Sequence, residues 1–305
     1  MAPLAEWWAG ARPRTLGAGI VPVLVGTATA DRFVPWRFLA ALVVAAGLQI
    51  GVNFANDYFD GVRGVDTAER LGPSRLTASG RVAPRSVAVA ALASLGVAGI
   101  AGLALAIATE PVPILAIGAL ALLAAFLYSG GPRPYAGLGL GELAVFLFFG
   151  LMATAGTTFV MEETVAPAAW WAGAALGLLA VAILVANNLR DIPTDEAAGK
   201  RTLAVRLGAA RTRTAYRICV VGAFVLIAGG FVVWIVSEPA GLTPWGLVGL
   251  AAWPLAIRPM ERVGSGSGRE LIPVLTGTAA VHAACGILMA MGLALSHTVT
   301  TGPLP

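Results

Sequence analysis

The chain has 305 residues, of which 58% are hydrophobic and 12% charged, and its mean hydropathy is +0.83. Soluble domains carry about 25% charged residues, so the composition excludes a soluble globular protein and predicts an all-α, polytopic membrane protein. The net charge of +4 is scattered through short loops rather than gathered into a nucleic-acid-binding patch, and Cys219 and Cys285 both lie in apolar runs, which excludes a disulfide framework.

Nine apolar segments follow in chain order, at about 16–30, 36–59, 86–109, 111–128, 138–160, 166–188, 216–236, 242–257 and 271–297. The first and eighth are short for a span of ~20 residues, and they contain Pro22 and Pro254, which suit a tilted or kinked helix. Trp7, Trp8, Trp36, Trp170 and Trp171 sit at segment ends, as interfacial aromatic belts do. With the N-terminus in the cytoplasm, every arginine and the single lysine fall on the cytoplasmic side except Arg32 and Arg37. The positive-inside rule therefore gives the orientation. The expectation is one integral-membrane domain over residues 1–305, a bundle of nine transmembrane helices around a central cavity, in the lipid bilayer of the cell membrane. Nothing in the sequence calls for an obligate protein partner.

Two polar stretches interrupt this pattern, both at cytoplasmic ends. The first, NFANDYFDGVRGVD (53–66), closes the second segment. Asn53 and Asp57 (i, i+4) and Asp57 and Asp60 (i, i+3) share one helix face. The second, NNLRDIPTDEAAGKRT (187–202), closes the sixth segment and places Asn187, Asp191 and Asp195 at i, i+4 and i+8. Segments two and six are four apart and point the same way, which fits parallel four-helix halves at about 11–133 and 138–260.

Carboxylates at the edge of hydrocarbon are costly and need partners. Oxygen donors grouped this way suit Mg²⁺, which takes one or two carboxylates, waters and substrate phosphates. Two such clusters suggest a diphosphate clamped between them. Asp57, Asp60, Asp191 and Asp195 are the candidate catalytic quartet, and Asn53, Asp66 and Asn187 complete the candidate metal set. Arg63, Lys200 and Arg201 stand where they add positive charge for the diphosphate. A prenyl diphosphate matches this layout, with its tail in the apolar bundle and its head at the acidic mouth. Tyr58, Phe59, Tyr128 and Phe146 are aromatic candidates for facing an allyl cation. Glu142 opens the fifth segment as either a local cap or a site residue, and His282 in the ninth reads as a packed histidine. A secondary transporter is the competing class, but its sites lie near the bilayer midplane, whereas these clusters lie at helix ends.

At these residues the sequence resembles the UbiA superfamily of intramembrane prenyltransferases. The match rests on ARPRTL (11–16), NDYFDGVRGVD (56–66) continuing to LGPSRLTASG (71–80), YSGGPRPYAGLGLGEL (128–143) and NNLRDIPTDEAAGKRTLAVRLG (187–208). Within the superfamily these pieces resemble the branch whose acceptor is 1,4-dihydroxy-2-naphthoate, rather than 4-hydroxybenzoate or homogentisate. The resemblance implies Mg²⁺ dependence and transfer of a polyprenyl group from polyprenyl diphosphate to the naphthoate, with loss of CO₂ and diphosphate, giving demethylmenaquinone. Two positions depart from the superfamily pattern. The last aspartate of the first motif is displaced, so Asp60 and Asp66 are alternative metal ligands. The loop after the fourth segment carries Tyr128 followed by Pro132 and Arg133 where many relatives have Tyr-x-x-x-Lys, which makes Tyr128 and Arg133 the candidate diphosphate contacts there. Arg12 and Arg14, in the branch-specific RPRTL piece, are the candidates for binding the acceptor carboxylate.

Overall fold

A computed structural model describes residues 3–64, 75–238 and 240–300, and for 297–300 the backbone alone. Asp66 lies outside the described residues. Those described are helical throughout, joined by short turns. Proline opens five of the helices. It occupies the first position of α2 (Pro13–Ala28), α3 (Pro35–Val62), α4 (Pro84–Ala108), α5 (Pro111–Ser129) and, after α6 (Gly141–Glu162), of α7 (Pro167–Ala197). There its fixed φ suits the helix and its missing N–H costs nothing. A short α1 (Leu4–Ala11) precedes these. The chain continues through α8 (Leu203–Val236), a 3₁₀ stretch at Pro244–Ala252, α9 (Trp253–Arg262) and α10 (Ile272–Thr300). At Gly208 α8 breaks into two helices, with φ 73° and ψ 165°, a conformation that glycine adopts without a Cβ clash.

Among the described residues seven helical stretches are long and apolar enough to cross a membrane: α3 to α8 and the stretch Gly268–Ser296, which takes in most of α10. Each expected segment has a helical counterpart, but the first and eighth fall outside that set. The first is the 16-residue α2, and the eighth is divided between the 3₁₀ stretch and α9. Pro254, second residue of α9, marks the division, since it cannot donate to a helical ladder continuing from the 3₁₀ stretch. The protein is thus a multi-pass, all-helical membrane protein.

The centre of the bundle is α7, whose most apolar window is 67% buried, against 17% for α4 and 11% for α5, which therefore form the lipid-facing flank. Lipid tails offer helices no hydrophobic drive to associate, so close backbone packing supplies the attraction. The buried face of α7 is accordingly small-residued, including Ala168, Ala172, Gly173, Ala175 and Gly177. Opposite it, α6 passes through a π-helical stretch at Phe146–Met152. A Cβ on Gly150 of that stretch would lie 2.5 Å from Gly177 Cα and 2.6 Å from the Gly173 carbonyl oxygen, so the two backbones touch there.

The end of the bundle away from the acidic motifs is closed by a polar latch. Arg37, at the start of α3, donates to the carbonyls of Ala108 on α4 and of Val160 (3.0 Å) and Met161 (3.4 Å) on α6, and pairs with Glu163 at 3.5 Å. A guanidinium suits helix C-termini, where carbonyls lack intrahelical donors and the dipole is negative. Beside it Thr29 and Thr158 hydroxyls meet at 2.7 Å, and Thr158 also donates to the Gly26 carbonyl at 2.9 Å, tying α2 to α6.

The glycine contact generates a stability prediction. Gly150→Val should lower the thermal unfolding midpoint in detergent, by the equivalent of about 1–3 kcal/mol for an overpacked contact. Gly96→Ala in α4, where nothing lies within 4 Å of the added methyl, should be neutral or slightly stabilising. Equal effects of the two would remove the helix contact as the cause.

Candidate active site

Helical spacing places two polar stripes face to face. On α3, Gln49, Asn53, Asn56 and Asp60 fall at i, i+4, i+7 and i+11, one stripe of the helix. On α7, Ala180, Leu184, Asn187, Asp191 and Asp195 form the corresponding stripe. All nine residues line a single cavity of about 620 Å³. Its body is apolar, walled by residues such as Val23, Leu105, Ile114, Leu122, Phe148 and Val160, while Arg12, Arg75, Tyr128 and Lys200 join the stripes at the polar mouth.

Each stripe is held by its own hydrogen bonds. The Asn53 amide donates to the Ala11 carbonyl at 3.0 Å and to Thr15 Oγ1 at 3.1 Å, and Gln49 donates to the same hydroxyl at 3.1 Å. Between α1 and α2, Arg12 takes a left-handed conformation (φ 52°, ψ 66°), and the Thr15 hydroxyl donates back to its carbonyl at 2.9 Å. Non-glycine residues rarely adopt that region, and the turn brings Arg12 to the cavity while Arg14, two residues on, stays exposed.

On α7, Arg190 grips Asp191 through both carboxylate oxygens, Nε to Oδ1 at 2.7 Å and an amino group to Oδ2 at 2.6 Å. The same amino group reaches Asn187 Oδ1 at 2.9 Å. Both Arg190 and Asp191 are buried, and a two-point guanidinium contact fixes the orientation of such a carboxylate. The helix runs on through Pro193, whose missing N–H leaves the Leu189 carbonyl without its helical donor. Beyond its end, Lys200 donates its backbone N–H to the Asp195 carbonyl and its ammonium to Asp60 Oδ2, both at 2.8 Å. The chain's single lysine therefore joins the second motif to the first.

The structure separates the sequence candidates. Asn53, Asp60, Asn187, Asp191, Asp195, Tyr128, Lys200 and Arg12 line the cavity; Asp57, Arg63, Arg133, Arg201 and Arg14 do not. Both Asp57 oxygens accept backbone N–H groups, from Leu76 and Thr77 at 2.8 Å each, so this carboxylate anchors the segment after the first motif. Arg63 caps the end of α5 through the Ser129 carbonyl (2.7 Å) and the Gly131 carbonyl and lies over the Phe59 ring. Arg133 and Arg201 are exposed. The sequence reading missed Asn56, Asn188 and Arg75 on the cavity wall, and Arg190 behind it. The signal for Asn56 was the stripe that starts at Gln49, a lone amide in an apolar run. At the mouth Tyr128 packs edge-on against Tyr135, with centroids 5.4 Å apart. The Tyr135 hydroxyl donates to the Ala124 carbonyl at 2.9 Å, and burial pushes its pKa up to about 12, so it stays a neutral donor.

Among the described residues no three His, Cys, Asp or Glu side chains converge into an all-protein metal cage. Magnesium needs none when a substrate supplies phosphate oxygens. Asp191, Asp195 and Asn187 on one wall, with Asp60 and Asn53 on the other, are a donor set of the right hardness, so the residues fit a magnesium–diphosphate ligand.

Comparison with known proteins agrees with this geometry. The model of the UbiA prenyltransferase family matches residues 19–262. The 1,4-dihydroxy-2-naphthoate octaprenyltransferase of Mycobacterium tuberculosis is 48% identical over 97% of this chain and 99% of its own length. The Escherichia coli protein of the same name is 36% identical over 88% and 86%. The fold is shared with a UbiA homolog from Aeropyrum pernix K1, at a TM-score of 0.69 and 17% identity over 93% of this chain and 98% of that one. It is also shared with a UbiA homolog from Archaeoglobus fulgidus bound to GPP and Mg²⁺, at a TM-score of 0.65 and 17% identity over 95% and 99%. On its sequence, its helical fold and its paired polar stripes, the chain belongs to the UbiA prenyltransferase family.

Proposed function

We propose that the protein transfers a polyprenyl group from its diphosphate to 1,4-dihydroxy-2-naphthoate, releasing diphosphate and CO₂ and giving demethylmenaquinone, with the cavity mouth facing the cytoplasm. The observation that carries this reading is the meeting of two carboxylate-bearing stripes at the mouth of one apolar cavity, bridged by Lys200 and Asp60. The names of the Mycobacterium tuberculosis and Escherichia coli relatives support the acceptor, and the ligands of the Archaeoglobus fulgidus homolog support the donor. The arginines and lysine gathered near the motifs support the orientation.

Asp60, Asp191 and Asp195, with the amide oxygens of Asn53 and Asn187, would hold magnesium, and Asp66 remains a candidate from the sequence. Bound magnesium supplies positive charge against the diphosphate as it leaves. Arg190 keeps Asp191 aimed. Lys200, at the mouth, offers its ammonium to the departing diphosphate oxygens while staying tethered by its backbone to Asp195. The apolar cavity body accommodates the prenyl tail and excludes water from the allylic carbon, and Tyr128 presents an aromatic ring at the same level. Arg12 and Arg75 provide cations outside the α7 cluster for the acceptor carboxylate. The ring carbon bearing that carboxylate attacks the allylic carbon as its bond to diphosphate oxygen breaks. The carboxylate then leaves as CO₂, and its bonding pair returns to the ring and restores aromaticity.

Asp195→Asn should lower turnover by roughly 10²–10³-fold in purified protein while leaving the unfolding midpoint close to the parent's. Asp191→Asn should lower turnover as much but also lower the midpoint, because an amide cannot accept both arms of the buried Arg190 guanidinium. Asp57→Asn should behave unlike Asp195→Asn, because an amide cannot accept both backbone N–H groups. A lost buried hydrogen bond of this kind costs about 1–3 kcal/mol, read as a lower midpoint. Near-normal turnover of Asp191→Asn would take that residue out of the diphosphate site. Acceptor labelled at its carboxyl carbon tests the reaction itself: CO₂ release should match prenylated product one for one, and a product that keeps the label would overturn the assigned acceptor chemistry.

A further inference from the structure

One buried acid near the cavity has no part in the scheme above. Glu142, in the first turn of α6, is 8% exposed, and its Oε1 accepts a hydrogen bond from the Asn188 amide nitrogen at 3.0 Å. Asn188 lines the cavity, and so does Gly141, the residue before Glu142. The Tyr128 hydroxyl lies 3.7 Å from where a Cβ on Gly141 would stand, so the tyrosine packs against the start of α6.

A carboxylate only accepts hydrogen bonds, whereas an asparagine amide has one donating and one accepting end. Glu142 therefore fixes which way the Asn188 amide faces. Its nitrogen turns to the acid on α6, which leaves the oxygen as the other branch of the amide on a side chain that lines the cavity. Asn188 follows Asn187 by one position, about 100° around the helix, so it stands off the Asn187–Asp191–Asp195 stripe while still lining the same cavity as Tyr128.

On the reading proposed above, we infer that Glu142 is a positioning residue for acceptor recognition, holding the Asn188 amide so that its oxygen accepts a hydrogen bond from a ring hydroxyl of the aromatic acceptor. A site built to bond a hydroxyl discriminates strongly against an analogue that lacks it, because its own polar group is left without a partner. The pair thus selects a hydroxylated ring and seats it beside Tyr128, at the level where the allylic carbon must lie.

The test uses the full-length protein in detergent with magnesium, a prenyl diphosphate, and either 1,4-dihydroxy-2-naphthoate or its monomethyl ethers. Glu142→Leu and Asn188→Leu should each raise the KM for the dihydroxy acceptor by about tenfold, the worth of one hydrogen bond. The KM for prenyl diphosphate should change less than about threefold, well under the shift expected from losing a hydrogen bond. Both variants should also lose most of the parent's preference for the free hydroxyl over its ether. Glu142→Gln, which keeps an acceptor oxygen for Asn188, should retain that preference, and it carries the test if the leucine variants fail to fold. Equal shifts in both KM values, or a preference for the hydroxyl that survives in Asn188→Leu, would overturn the inference. Loss of the preference in Glu142→Gln would also count against it. A parent protein that prenylates no hydroxynaphthoate would overturn the functional reading, and this inference with it.

Discussion

A carboxylate at the boundary of a hydrocarbon slab must be matched by positive charge or by N–H donors, because neither lipid nor apolar side chains can solvate it. The acidic groups of the two motifs are arranged around that requirement. Asp57 is satisfied by two backbone amides, Asp191 by a buried guanidinium and Asp60 by the ammonium of Lys200. These three solutions have different consequences. Backbone amides cannot be withdrawn without unfolding the segment that bears them, whereas a lysine on a flexible stem can exchange one anion for another. The groups best suited to meet an incoming anionic ligand are therefore those whose present partner is a side chain.

The same constraint orders the bundle. Helix α7 carries one motif and is also the most enclosed helix, packed through alanines and glycines that let its neighbours approach closely. Helix α3 carries the other motif, and its opposite end bears Arg37, which gathers the carbonyl ends of α4 and α6. A helix pinned at both ends presents its polar stripe at a fixed height, and the cavity between α3 and α7 inherits that rigidity.

Much of the fold was legible in the sequence, because apolar run length and proline punctuation are local signals. Five helices open on a proline, and the polar motifs fell at the ends of the expected segments. Pro254 already marked the eighth segment for a kink, but the π-helical stretch at Phe146–Met152 was not legible: it lies where Gly150 meets Gly173 and Gly177, a tertiary contact that no local signal announces. For the site, spacing along α7 was enough to group Asn187, Asp191 and Asp195. Spacing along α3 favoured Asp57, since the run 53–57–60 and the run 49–53–56–60 both look helical. Only the positions of Leu76 and Thr77 decide between them. The arginines were the least legible, because a guanidinium on a long stem goes to whichever carbonyls or carboxylates the tertiary fold supplies. Arg63 found the end of α5, and Arg190 found its own neighbour.

The π-helical stretch of α6 has two faces with different obligations. Gly150 lies against the backbone of α7, while Phe148, Phe149 and Met152 form part of the cavity wall. Seam and wall are cut from the same seven residues, so a change that reshapes one is transmitted directly to the other. Evolutionary freedom to refit the cavity to longer or shorter tails is correspondingly displaced to α4 and α5, where Leu103, Leu115 and Leu122 line the cavity from the spans with the smallest buried share. Divergence among proteins of this architecture that handle different tails should therefore concentrate on the lipid-facing flank, with the α6–α7 seam held nearly constant.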